Sequence, residues 1–219
     1  MIALMLVVAL QVIDSGTFVV RQDSVELARE TFVLRPVERA RSPGGWVLAT
    51  TTRYPGAPVV TLTATLLVAP DSTPWSLEFE AADPRRPQRI LGQASAQRFT
   101  VRTLGRRSEG AREYSLVGPT VILDDSLFAF YVFAAWAARP GRVVTTTALL
   151  PRGERRETLS VEDVGVVATT LNRDPASLHH VVVSGGAAQR VDVWLDTTGR
   201  LMKVDVPSRE LRIERVPPA

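Results

Sequence analysis

Apolar and polar residues alternate with a period of two along most of this chain. Val60, Leu62, Ala64, Leu66 and Val68 alternate with Thr61, Thr63 and Thr65, and Leu77, Phe79 and Ala81 alternate with Ser76, Glu78 and Glu80. The same pattern recurs around Phe99 and Val101, around Val191, Val193 and Leu195, and around Leu211 and Ile213. Successive side chains of a strand point to opposite faces, so each segment has one dry face and one wet face. Such strands pair antiparallel more readily than they enter a parallel sheet covered on both sides.

Turn-forming residues separate these segments at hairpin distances. They are RQDSVE (21–26), YPGAP (54–58), APDSTP (69–74), ADPRRP (82–87), LPRGE (150–154), LDTTGRL (195–201) and VPSRE (206–210). Short connections make sequential strands neighbours, which predicts one meander of roughly ten or eleven strands. A sheet of that width curls. Nothing in the sequence marks a linker, so residues 14–219 read as a single mainly β domain.

One segment breaks the pattern. DDSLFAFYVFAAWAA (124–138) holds Phe128, Phe130, Tyr131, Phe133 and Trp136 and has no polar face. Asp124, Asp125 and Ser126 are residue types that cap helix N-termini, and ARPG (138–141) stops a helix. The segment predicts a capped helix of about 124–138, roughly 20 Å long at 1.5 Å per residue. A helix that is apolar all round is buried on all sides. The expected architecture is therefore an antiparallel meander curled into a half-barrel around this helix. Phe128, Tyr131, Phe133 and Trp136 read either as core or as the wall of an apolar pocket between helix and concave sheet.

Motifs for other chemistry are missing. The chain has no cysteine, which excludes disulfides, thiolate zinc sites and a cysteine nucleophile. His179 and His180 are the only histidines, and neighbours on a strand point to opposite faces, a poor arrangement for one metal. VSGGA (183–187) lacks the nucleophile elbow and reads as a turn. No cofactor, metal or catalytic residue is expected. The net charge of +3 comes from arginines scattered among acidic residues, with Lys203 the only lysine, which argues against nucleic-acid binding. The first thirteen residues are mostly apolar but too short to span a bilayer, which takes about 20. They read as a short or truncated export signal, or else as a buried first strand, and the export reading places the protein in the periplasm or otherwise outside the cytoplasm.

The order GTFVVRQDSVELARETFVL (16–34), further strands, DDSLFAFYVFAAWAARPG and VDVWLDTTGRLMKVDVP (191–207) resembles an uncharacterised bacterial exported β-rich family. That family is allied in architecture to the periplasmic lipoprotein carriers, the LolA/LolB-like half-barrels. The resemblance implies a long sheet curled around a helix, with a concave face that holds acyl chains. It implies no individual binding residue, and a lipid-anchored form is excluded because there is no cysteine to carry the lipid. The expected function is extracytoplasmic, non-catalytic binding of a lipid or acyl chain. The alternative is a structural or protein-interaction module of the cell envelope with a membrane-proximal protein partner and a filled core.

Overall fold

The computed structural model describes residues 13–37, 44–106 and 109–217. The expected export signal lies outside these residues except for Ile13, which is exposed.

Fifteen strands form one sheet among the described residues. The first eight are β1 (Asp14–Gln22), β2 (Val25–Val37), β3 (Gly45–Tyr54), β4 (Val60–Val68), β5 (Pro74–Ala82), β6 (Gln88–Ser95), β7 (Arg98–Gly105) and β8 (Glu109–Ser115). The rest are β9 (Thr120–Ile122), β10 (Val143–Leu150), β11 (Arg155–Leu171), β12 (Asp174–Ser184), β13 (Arg190–Leu195), β14 (Leu201–Val206) and β15 (Leu211–Arg215). The alternating segments and hairpin turns fall where the sequence predicts them. Fifteen strands replace the expected ten or eleven; two of the additions are β8, too polar to show the alternation, and β9, only three residues long.

The sheet is two meanders joined at their ends. β1 pairs with both β2 and β15, so the order runs from β8 back to β1, then from β15 back to β9. Every pairing is antiparallel except β9 with β10. That parallel pair corrects the purely antiparallel expectation. Its cause is the helix inserted between the two strands, since parallel neighbours need a long crossover.

The inner face of the curl is mostly apolar. Phe18 and Val20, Phe32 and Leu34, Leu66 and Val68, Leu77 and Phe79, Phe99 and Val101, Val191 and Val193, and Val204 and Val206 all point into it and are buried. β9 is buried too and packs near β5. The sheet edges are thus unequal: β9 is tucked inside the curl and β8 lies on its exposed rim.

The central helix is shorter than expected. It is a 3-10 turn, Phe128–Phe130, continued by α1, Tyr131–Trp136. Asp124, Asp125 and Ser126 do not cap it. Leu127 holds the cap position and offers no side-chain bond. Asp124 Oδ1 instead accepts bonds from the Ser126 amide (2.8 Å) and Arg152 Nη2 (2.9 Å), while Asp125 pairs with Arg155 (2.9 Å). Arg209 also donates to the Asp125 carbonyl at 2.7 Å. Arginines from the turns after β10 and β14 and from the start of β11 have captured the expected caps, and this lead-in closes one end of the curl.

Candidate functional site at the Trp136 end

The missing cap comes from across the interior. Glu30 sits on the inward face of β2 and is fully buried. Its Oε2 accepts from the Phe128 amide (2.8 Å), and its Oε1 accepts from the Ala129 amide (3.2 Å) and the Thr50 hydroxyl (2.7 Å). The carboxylate satisfies two N–H groups that a helix start leaves without partners. Burial pushes its pKa up to about 7, with the three donors pulling the other way and nearby Asp124 pushing it up further. Burial also raises Asp124, against the pull of Arg152. Glu30 was legible in one respect: it is a carboxylate at an inward position of an alternating strand.

The four residues read from the sequence as a pocket wall separate into two groups. Phe128 and Phe133 are core, with exposures of 1% and 0%, and Phe130 beside them is equally buried. Tyr131 is buried as well, and burial moves its hydroxyl pKa well above the ordinary phenol value. Around these residues the helix packs directly on the sheet. Trp136 differs. It is half-buried at the opposite end of the curl from Asp124, and its indole N–H donates to the Gly199 carbonyl at 3.0 Å. Phe133 and Trp46 meet it edge-on at 5.7 and 5.5 Å.

Trp136 lines a groove of about 590 Å³ at this mouth. Pro70, Leu116, Pro119 and Val144 supply apolar lining, and Asp71, Arg139 and Arg142 are charged members of the rim. Asp71 Oδ1 accepts from the Thr73 amide (3.0 Å), and Arg139 closes the helix end by donating to the Trp136 and Ala138 carbonyls. Among the described residues, no carboxylate lies within ion-pair distance of Arg142. The groove falls within the roughly 300–1,000 Å³ usual for small-molecule sites, and its walls are part apolar and part polar, with Ser72 and Thr73 beside the charged rim.

The histidines face different partners. His179 Nε2 lies 2.7 Å from Asp163 Oδ1, and His180 Nε2 lies 2.7 Å from Asp192 Oδ1. His180 also stacks on Trp194 with ring centroids 4.7 Å apart. Among the described residues, no cluster of three or more histidine or acidic side chains could hold a metal ion.

No protein-family model matches the chain, and no curated protein matches it. One solved structure, a crystal structure of a beta-barrel-like protein of domain of unknown function DUF1849 from Brucella abortus, is similar over 94% of this chain and 98% of its own. The TM-score is 0.53 at 12% identity, a likeness of fold alone. This chain is a single open, curled, barrel-like β-sheet around one short helix.

Proposed function

We propose that this protein is a non-catalytic, extracytoplasmic binding protein that holds an apolar or amphiphilic ligand, such as a lipid or acyl chain, at the Trp136 mouth. The observation that carries the reading is the contrast along the helix. Phe128 and Phe133 are sealed into the core, whereas Trp136 presents a fixed indole to a groove whose walls are part apolar and part polar, as an amphiphile would need. The apolar opening stretch of the sequence supports the compartment, and the resemblance to lipoprotein carriers supports the ligand class. Here the helix is a packed floor and the ligand lies against its end.

A second reading, a structural or protein-interaction module of the envelope, is favoured by that same filled interior. Native mass spectrometry and solvent extraction of the purified protein separate the two. The binding reading predicts a co-purified apolar molecule, or saturable binding of a fluorescent acyl probe with an uncharged head that falls at least tenfold in Trp136→Ala. Failure of both, with Trp136→Ala changing stability alone, supports the structural module and overturns the binding reading.

A further inference from the structure

The β11–β12 hairpin is much longer than its neighbours and bends over the outside of the barrel. Its register shifts between Asp163 and Gly165, and Gly165 takes a φ of 90°, in the region that favours glycine. Beyond this bulge the hairpin arm crosses the outer faces of β14 and β15. The Thr170 carbonyl accepts from Lys203 Nζ (3.4 Å), and Asn172 donates its amide to Glu214 Oε1 (3.2 Å) and its side-chain Nδ2 to the Arg215 carbonyl (2.7 Å). The arm buries Lys203, which also lies over the Trp194 ring at 4.6 Å.

Beside the arm tip lies a groove of about 810 Å³, separate from the Trp136 mouth. Leu171, Met202, Val216 and Pro217 give it an apolar lining, and Met202 is the extra residue of a bulge where β14 meets β13. Arg29, Arg200 and Arg215 also line it, and none of its described lining residues is acidic. Carboxylates outside the lining hold each guanidinium. Glu26 takes Nε and Nη2 of Arg29 (2.7 and 3.1 Å), Asp196 takes Nε of Arg200 (2.7 Å), and Asp14 takes Nη2 and Nη1 of Arg215 (2.6 and 3.1 Å). Arg29 Nη1 and both terminal nitrogens of Arg200 keep N–H groups with no acceptor among the described residues. Gly16 leaves room for this arrangement, since a Cβ there would stand 2.9 Å from Arg215 Nε.

We infer that this outer groove is a second binding site, for an anionic amphiphile whose carboxylate or phosphate monoester head takes the free N–H groups of Arg29 and Arg200. The apolar tail lies along Leu171, Met202 and Val216. Positioned guanidinium donors suit a carboxylate or phosphate head because both partners are charged and their geometries match. The apolar lining selects against a bare anion. The site is independent of the reading of the Trp136 mouth, because it shares no lining residue with that groove.

The test is calorimetric titration of the full chain with dodecyl phosphate below its micellar concentration, beside dodecyl maltoside and inorganic phosphate. The Arg29→Gln/Arg200→Gln double variant changes only exposed side chains and should keep the fold. The expected result is binding of dodecyl phosphate at least tenfold tighter than either comparison compound, lost at least tenfold in the double variant and retained in Trp136→Phe. Equal affinity for dodecyl maltoside in Trp136→Phe, equal affinity for inorganic phosphate, or undiminished binding by a folded double variant overturns the site. Loss in Trp136→Phe alone assigns the binding to the mouth and overturns the outer site without harming the mouth reading.

Discussion

Glu30 occupies an inward position of β2 between Ala28 and Phe32, where the alternation calls for an apolar side chain. Both of its protonation states can be satisfied. Ionised, it accepts from Phe128, Ala129 and Thr50; protonated, its Oε1–H can donate to Thr50 Oγ1, whose own proton then goes to the Thr31 carbonyl 3.2 Å away. Burial wins over these donors and lifts the carboxyl from 4.5 to about 7. A raised carboxyl is protonated in the folded state where the unfolded chain has already ionised. Its stability contribution is full below about pH 4.5, is lost as pH rises to about 7, and is flat above that, a change on the order of 3 kcal/mol. Chemical denaturation of wild type and Glu30→Gln at several pH values checks this: the stability gap should shift by about that amount in favour of the variant between pH 4.5 and 8. A pH-independent gap would mean that the carboxylate stays ionised. Glu30→Ala should cost about 3 kcal/mol near pH 4.5, because it leaves two buried amides unpaired as well as a cavity, and its cost should shrink as pH rises to 8 and wild type loses the contribution of the raised carboxyl. The sequence shows Glu30 as an exception to its strand. Its partners on a helix about a hundred residues away are a product of the curl and cannot be read locally.

At the scale of elements, strands and turns were legible because each depends on neighbouring residues. YPGAP, APDSTP and LDTTGRL all lie between consecutive strands. The helix was legible in kind and place but not in extent. Its first four expected residues instead follow Arg152, Arg155 and Arg209, which approach only when the sheet curls. The overhanging arm was hidden for a similar reason, since Val164 and Val166 continue an alternating pattern while being exposed. Close packing between elements gives a sharper prediction. A Cβ at Gly45 would collide with the Val68 carbonyl and stand 2.8 Å from the Trp75 ring. The backbone obstacle cannot swing aside, so Gly45→Ala should destabilise by about 2–4 kcal/mol in thermal or urea unfolding. Trp136→Ala, at a half-buried site open to the groove, should cost only about 2 kcal/mol, less than the 3–5 kcal/mol usual for a fully buried tryptophan. A larger loss would make Trp136 part of the sealed core.

For the whole molecule, the question is what holds the curl shut around its helix. β8 and β9 are the two sheet edges and do not pair with each other. Arg112 of β8 reaches Glu154 at 2.8 Å, but both side chains are more than half exposed, and such pairs contribute under about 1 kcal/mol. Arg112→Ala should therefore change stability by less than about 1 kcal/mol, and the effect should shrink further as salt is raised. Closure comes from the interior, where Phe18, Phe99, Phe128, Phe130 and Phe133 pack with almost no exposure and Glu30 ties the helix start to β2 and β3. A ligand can then reach the Trp136 end without unpacking the helix. Hydrogen exchange at single amides, with and without saturating lauric acid, tests this most directly. The slow exchange of Phe128 and Ala129, whose amides bind Glu30, should stay within about twofold, while Ala137 and Ala138 beside the groove become more protected. Exchange at Phe128 and Ala129 that quickens tenfold on binding, with Ala137 and Ala138 unchanged, would show the ligand parting helix from sheet and would contradict that closure.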